Sequence, residues 1–411
     1  MKVVHLVAGS LTGGAGRGAY WLHQALISKG IDSKIITNSQ DDFGDPTVYS
    51  MYKSKLGRLL SLVASQLDKI LLALFPKREK RIFSTGLFGL QYKKNELYRA
   101  ADIVHLHWVN GLVSSKSISS IDKPIVWSIR DMWPMTGGCH YSLECERYIS
   151  GCGSCPQLNA FKGLDFTKYL VRLKNKSYSK VQPVGISDWV TDELKRSAVF
   201  REAKLKAITI NNCVDFSIFE PVDKNVARNI LNITSSKKII LVGSTSLTDF
   251  YKGFSYFIES LEYLNKDDYL ICAFGKPDVA ALKSTGFEYL AFGYLYDNLS
   301  LKLVYSAADV FAAPSIQEAF GKTLVESMAC NTPVVCFDAT GPASIVKHKI
   351  TGYKAKLYDA KDFSVGLSWV LNKSSDESLS DGVRDIAFKD FDSSVAADQY
   401  ILLYENMVFN E

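Results

Sequence analysis

Glu318 and Glu326 stand eight residues apart in the stretch Pro314-Ser315-Ile316-Gln317-Glu318-Ala319-Phe320-Gly321-Lys322-Thr323-Leu324-Val325-Glu326. The apolar run Val310 to Ala313 predicts a buried strand ending at Pro314, and Gly321 opens a helix whose second turn carries Glu326. Carboxylates on either side of a helix N-terminus suit one ligand layout. A diphosphate would sit on the amides around Phe320, Gly321, Lys322, Thr323 and Leu324, and hydroxyls at its two ends would donate to Glu318 and Glu326. A nucleoside diphosphate sugar has that layout. Taken alone, the same two acids would need to do no more than complement a helix dipole.

A second candidate anion site lies in the first strand-to-helix connection, which reads Gly9-Ser10-Leu11-Thr12-Gly13-Gly14-Ala15-Gly16-Arg17-Gly18-Ala19. Bare N–H groups beside the start of a helix cradle phosphate. Gly14, Gly16 and Ala19 also meet the spacing of the dinucleotide fingerprint, so a nicotinamide or flavin oxidoreductase is one alternative. Several residues separate the first strand from these glycines, however, and the second strand ends in Thr37-Asn38 without the acid that would hold a ribose. A purely structural turn is the other alternative.

Four of the eight cysteines cluster as Cys139, Cys145, Cys152 and Cys155 in a Gly-rich, loop-like insertion over 131–158, with His140 beside the first. Four thiols with a C-x2-C pair fit structural zinc, although the five residues between Cys139 and Cys145 exceed the usual spacing. Reduced thiols or local disulfides, and an iron–sulfur cluster, are the other readings. All four positions would be saturated by a bound ion, so the cluster implies no catalytic metal. Trp133, Tyr141 and Tyr148 lie in the same insertion, which is of a length that is commonly functional.

These residues need a scaffold, and the chain supplies one of ordinary composition. It has 411 residues, 47% apolar and 22% charged, enough for two substantial cores and incompatible with a disordered or fibrous chain. Forty-eight basic against 43 acidic residues give +5, too mild to imply a nucleic-acid partner. No apolar run reaches the roughly 20 residues of a membrane span, and the start Met1 to Val7 lacks the features of a secretory signal, so a cytoplasmic address is expected.

Strand-length apolar runs alternate with helical-period segments, the pattern of α/β proteins with parallel sheets. Strands are predicted at Val3 to Val7, Lys34 to Thr37, Ile103 to Leu106, Ile125 to Ile129, Pro183 to Ile186 and Ala207 to Ile210. A second set follows at Lys238 to Gly243, Tyr269 to Phe274, Tyr289 to Phe292, Val310 to Ala313 and Pro333 to Phe337. Asn211 to Lys237 separates the two sets and holds the domain junction, giving domains over 1–210 and 211–390, with a terminal helix in 391–411. Leucines and isoleucines spaced by three and four over 53–81, flanked by Lys and Arg, form a basic amphipathic helix. Such a helix either docks on an anionic membrane surface or buries its stripe within the domain.

With these motifs in order, the chain resembles the retaining glycosyltransferases of family 4, through their E-x7-E motif at Glu318 and Glu326. The Gly13-Gly14 loop, His105-Leu106-His107, Asn212 with Asp215 and Phe219, Lys252-Gly253, and Gly293 with Ala308-Asp309 follow in the family's order. The resemblance implies a GT-B fold, in which two Rossmann-like doubly wound parallel-sheet domains face across a cleft. The second domain would hold the donor and the first the acceptor. It also implies transfer from a nucleoside diphosphate sugar to a saccharide hydroxyl, with retention and without a cofactor or metal required for catalysis. A lipid-linked oligosaccharide of bacterial surface polysaccharide synthesis would be the acceptor.

By the same resemblance Glu326 would bind the donor ribose, and Glu318 with the amides of Ala319 to Gly321 the sugar. Lys252 would pair with the phosphates, Gly13 and Gly14 would make room for them, and His107 would face the cleft and orient the sugar. His105 is read as structural. Two departures stand out. The family's phosphate Arg has no counterpart in Gly243-Ser244-Thr245, leaving Arg17 or Arg130 to compensate; and Arg130, before Asp131, replaces a common His, which favours a charge role over acid/base work there. The missing Arg also keeps a non-catalytic scaffold that binds nucleotide sugar or membrane as an alternative.

Overall fold

The computed structural model describes residues 1–39, 44–51, 63, 66–67, 70–160, 165–373 and 377–409. The chain divides into two compact units, Met1–Asn212 with Ala396–Glu411, and Cys213–Val395.

The first unit is built on a seven-stranded parallel sheet. Its strands are β1 (Lys2–Val7), β2 (Asp32–Thr37), β3 (Val48–Ser50), β4 (Ile103–Leu106), β5 (Ile125–Ile129), β6 (Val181–Gly185) and β7 (Ile208–Thr209), in the order 3-2-1-4-5-6-7. The second carries six parallel strands, β8 (Lys238–Ser244), β9 (Tyr269–Gly275), β10 (Glu288–Ala291), β11 (Val310–Ala313), β12 (Val334–Phe337) and β13 (Gly352–Ala355), in the order 10-9-8-11-12-13. Helices such as Gly14–Ser28 and Phe254–Leu261 connect successive strands. The inner strands are buried along almost their whole length because helices cover parallel sheets on both faces. In the second unit Ile240, Val242, Phe257, Val335, Phe363 and Leu367 form part of one continuous core.

Two strands were not predicted. β3 is three residues at a sheet edge, too short to show periodicity, and β13 reads Gly-Tyr-Lys-Ala, whose polar residue and half-covered centre hide it among turns. In each sheet the strand order reverses once, between β1 and β4 and between β8 and β11. Open α/β sheets bind ligands beyond the carboxyl ends of the strands at such a reversal. The Gly-rich loop and His107 follow β1 and β4, and Lys252 and Glu318 follow β8 and β11, so the topology brings the candidate residues to these two places.

Of the basic stretch 53–81, residues 53–62, 64–65 and 68–69 lie outside the described residues. Among those described, Leu72 is buried whereas Ile70 and Leu74 are 61% and 70% exposed.

Candidate active site

In the second unit the site is assembled from three connections. Phe250–Lys252 forms a single 3-10 turn, closed by Gly253 at φ +66°. A Cβ on Gly253 would stand 1.9 Å from the Pro314 carbonyl oxygen, so only glycine lets this turn lie against the end of β11. Ile316 N–H donates to Tyr251 O at 2.9 Å and fixes the same contact from the other side. Lys252 Nζ thereby reaches Glu318 Oε2 at 2.7 Å, with both side chains partly exposed. Ser315 Oγ donates to the same oxygen at 3.1 Å, and Glu318 N–H to Thr340 Oγ1 at 3.2 Å.

Gly321, at φ +114°, caps the helix Lys322–Ala329 without a side-chain hydrogen bond. Phe320 and Leu324 are buried, leaving only their backbone to a ligand, while Ala319, Lys322 and Thr323 are partly exposed. Glu326 lies deeper. It is 2% exposed, accepts from the Tyr305 hydroxyl at 3.1 Å and has Lys322 Nζ 3.9 Å from its other oxygen. One further polar group belongs here. Ser244, the last residue of β8, is buried and its hydroxyl has no hydrogen-bond partner among the described residues. The sequence drew attention to this position only for the arginine it lacks; a small hydroxyl at a strand end carries no motif.

In the first unit the helix Gly14–Ser28 likewise starts from a glycine, Gly13, with no side-chain cap. The glycines of this loop divide by task. Gly16 and Gly18 serve internal packing, since a Cβ there would meet Ser10 O at 2.2 Å and Asn212 Oδ1 at 2.6 Å. Gly13 and Gly14 are exposed, and a Cβ on Gly14 would meet nothing within 4 Å, so the space beside them is open to a ligand. Arg17 lies over the Trp21 ring at 4.9 Å. The dinucleotide fingerprint finds no support at the end of β2, where Thr37 is fully buried and donates to Gly9 O at 3.1 Å.

His107 is displaced from its expected role. It was expected to face a cleft, yet it is 1% exposed and both ring nitrogens are engaged inside the domain. Arg130 Nε and Nη2 approach Nδ1 at 3.3 and 3.1 Å, and Nε2 lies 2.8 Å from His5 Nδ1. A guanidinium only donates, so Nδ1 accepts, and a neutral His107 must carry its proton on Nε2 and donate to His5. His5 in turn carries its proton on Nε2, which is buried with no partner among the described residues. Arg130 completes its fork by donating from Nη1 to Asn212 Oδ1 at 2.8 Å. The histidine supports Arg130, which is itself partly exposed.

His105 pairs with Tyr404 OH at 2.6 Å and Ser128 Oγ at 2.8 Å, and Ser128 Oγ lies 2.5 Å from Tyr400 OH. Tyr400 and Tyr404 come from the terminal helix Ser393–Phe409, which explains why residues from Ala396 onward belong to the first unit. Burial, reinforced by neighbouring histidines and the Arg130 guanidinium, holds the pKa values of His5 and His107 far below the usual imidazole range, and burial with Arg130 does the same for His105. One nitrogen from each of these three rings lies within 4.8 Å of the others, but the adjacent guanidinium disfavours a metal cation there.

Asp131 is also structural in its contacts. It accepts from Trp108 Nε1 at 2.8 Å and Trp133 N–H at 2.9 Å, and lies 2.7 Å from His140 Nδ1. Beyond β4, the side-chain nitrogen and oxygen of Asn110 are both buried without a partner among the described residues, a second polar position that no motif signalled. The four clustered cysteines line a single cavity beside this region.

Residues 223–384, within the second unit, match the family model of glycosyl transferases group 1. Over 228 residues the chain is 28% identical to the N,N'-diacetylbacillosaminyl-diphospho-undecaprenol alpha-1,3-N-acetylgalactosaminyltransferase of Campylobacter jejuni, a match covering 53% of this chain and 58% of that protein. The chain spans about half the length of the curated relatives it matches, 58% and 44% in two of them. Sucrose-phosphate synthase from Thermosynechococcus elongatus shares the fold with a TM-score of 0.70 at 16% identity, over 100% of both chains. The Anabaena protein Alr3699/HepE, solved in complex with UDP-glucose, shares it at 0.64 and 14% identity, over 99% of this chain and 100% of that one. The fold is that of the GT-B glycosyltransferases.

Proposed function

We propose that this chain is a retaining glycosyltransferase that moves a sugar from a nucleoside diphosphate sugar to a saccharide hydroxyl. The acceptor in this reading is a lipid-linked oligosaccharide of bacterial capsule, O-antigen or exopolysaccharide synthesis, met on the cytoplasmic face of the membrane. The observation that carries it is the Lys252–Glu318 pair at 2.7 Å beside an uncapped helix N-terminus, within the segment that matches the group 1 glycosyltransferases.

Lys252 and the amides of Ala319 to Leu324 would take the diphosphate, Glu318 the sugar hydroxyls and Glu326 the ribose, displacing the Tyr305 hydroxyl from one oxygen. The Ser244 hydroxyl would donate to a phosphate oxygen, where the family has an arginine. Gly13, Gly14 and Arg130 would serve the phosphate and acceptor side, with His107 a positioning residue for Arg130. In the transfer the bond from the anomeric carbon to the diphosphate oxygen breaks, and the acceptor oxygen bonds the same carbon on the same face. The acceptor proton passes to the departing phosphate oxygen, so the step requires neither a side-chain nucleophile nor a metal.

The nucleotide–sugar donor is supported by the UDP-glucose complex of the Anabaena neighbour, and the lipid-linked acceptor by the undecaprenol diphosphate in the Campylobacter relative's name. Exposed Ile70 and Leu74, in the basic stretch 53–81, favour docking on an anionic membrane. A thermal-shift panel of UDP, GDP, ADP, CMP, their sugar conjugates, NAD and FAD, repeated on Glu326→Ala, tests the reading. A nucleoside diphosphate response lost in the variant supports it and names the base. A response to NAD or FAD alone would sink it, as would donor binding without transfer to any acceptor.

A further inference from the structure

The helix Lys322–Ala329 begins with the charge that least suits it. Its first turn carries no acid and its first residue is a lysine, although the N-terminal end of a helix already bears a partial positive charge. Lys322 also stands four residues before Glu326 rather than after it, the less favourable order for a helical ion pair. Helix stability therefore does not account for this cation.

The carboxylate beside it is nearly enclosed. The Glu326 side chain is 2% exposed and that of Lys322 15%, so the lysine is the solvent-side member of the pair. Glu326 Oε2 accepts from the Tyr305 hydroxyl at 3.1 Å. Tyr305 is itself wedged in place: it is fully buried, the Phe274 and Phe311 rings lie 5.7 and 5.4 Å from its own, and its carbonyl accepts from Thr332 Oγ1 at 2.7 Å. One oxygen of Glu326 thus already receives a hydroxyl from a fixed direction.

The other oxygen, Oε1, lies 3.9 Å from Lys322 Nζ, beyond the reach of a direct hydrogen bond. Two hydrogen bonds of about 2.8 Å that meet near a right angle at one oxygen span about 4 Å. A hydroxyl placed there donates its proton to Oε1 and accepts from the ammonium, which can only donate. The spacing of the pair is that of two groups sharing one hydroxyl.

We infer that Lys322 and Glu326 form a clamp for the cis-diol of a ribose, and that this pair selects ribonucleoside over 2′-deoxyribonucleoside diphosphate sugars as donors. The inference rests on the reading of Glu326 as the ribose ligand. One hydroxyl of the diol lies between Nζ and Oε1, and the other takes the place of the Tyr305 hydroxyl on Oε2. A deoxy sugar leaves one of these bonds unmade on a buried carboxylate, and a site built to bind a hydroxyl strongly rejects the analogue that lacks it. Both residues belong to one helix of the second unit, so the clamp is complete within it.

Calorimetric titration of the full chain with UDP, GDP and ADP, then with the 2′-deoxy and 3′-deoxy forms of whichever binds, tests the clamp without acceptor or turnover. Each deoxy form should bind about 10- to 100-fold more weakly than the ribonucleotide. Lys322→Met should weaken the ribonucleotide by a similar factor, yet bind one deoxy form, the one lacking the hydroxyl between Nζ and Oε1, as the unaltered chain does. Equal affinity of the unaltered chain for ribo- and deoxynucleotides would overturn the inference and leave the donor site standing. So would a Lys322→Met variant that weakens all three nucleotides alike, which would put the lysine on the phosphates, or one that weakens none. If no nucleoside diphosphate binds, the assignment of this site to a nucleotide falls, and the clamp with it. The first comparison is made on the unaltered chain, so a variant that fails to fold leaves the test intact.

Discussion

Lys252 Nζ and Glu318 Oε2 lie 2.7 Å apart, so the cation and the carboxylate assigned to phosphate and sugar neutralise each other before any donor is bound. The pair is partly exposed, at 18% and 23%, and its direct contribution to folding is accordingly small. Its value is placement: each holds the other at the carboxyl ends of β8 and β11.

Lys252→Ala should therefore leave the melting temperature nearly unchanged and lower the rate of transfer by about 10²–10³, the usual cost of losing a group that stabilises developing charge. Steady-state kinetics with the donor identified by thermal shift checks this. An unchanged kcat would remove Lys252 from the leaving-group role.

Gly253→Ala is expected to act through geometry. Its Cβ would meet the Pro314 carbonyl at 1.9 Å and its φ of +66° disfavours a side chain, so the turn must shift. A loss of about 1–3 kcal/mol in chemical denaturation is expected, together with weakened donor binding by calorimetry. Wild-type stability with wild-type affinity would show that the turn is not fixed by this contact.

The histidine cluster makes stability depend on pH. His5, His105 and His107 have folded pKa values well below 6.5, and His23 is lowered to about 4, mainly by burial. Unfolding lets each take up a proton below its ordinary pKa, so stability is at its full value above about pH 6.5 and falls as pH decreases from there toward 4, by about 1.4 kcal/mol per pH unit per histidine. Urea midpoints measured across this window test the sign. A midpoint that rose on acidification would contradict the buried, neutral cluster.

The same cluster predicts a tautomer. Because Arg130 donates to His107 Nδ1, long-range nitrogen NMR should find His107 neutral with its proton on Nε2 at pH 6. Arg130→Ala should release this preference without making His107 titrate in the ordinary range, since burial is the first cause of its shift.

Tyr404→Phe and Tyr400→Phe remove hydroxyls that reach His105 and Ser128 from the terminal helix. Tyr404→Phe should cost about 1–3 kcal/mol of the first domain's stability, because buried His105 Nδ1 loses its partner, and Tyr400→Phe should cost less, because Ser128 Oγ keeps its bond with His105. Hydrogen exchange should show the helix Ser393–Phe409 opening more readily in both.

Much of the candidate site in the second unit was legible in the sequence because it is local. Glu318, Gly321 and Glu326 lie within one strand–loop–helix unit, and apolar periodicity with a glycine cap is enough to place them. The buried parallel strands were equally legible, as continuous apolar runs, while β3 and β13 were too short or too polar to register. Tertiary structure decided what depends on distant partners. It turned His107 inward to His5 and Arg130, sank Glu326 beneath Tyr305, left Ser244 and Asn110 with polar atoms that have no partner among the described residues, and gathered four cysteines around one cavity. Sequence spacing fixes which residues share a turn of helix or a strand end. Which way a side chain faces, and which groups remain to meet a ligand, is settled only when the sheet order brings β1 beside β4 and β8 beside β11 and the chain's own hydrogen bonds have been made.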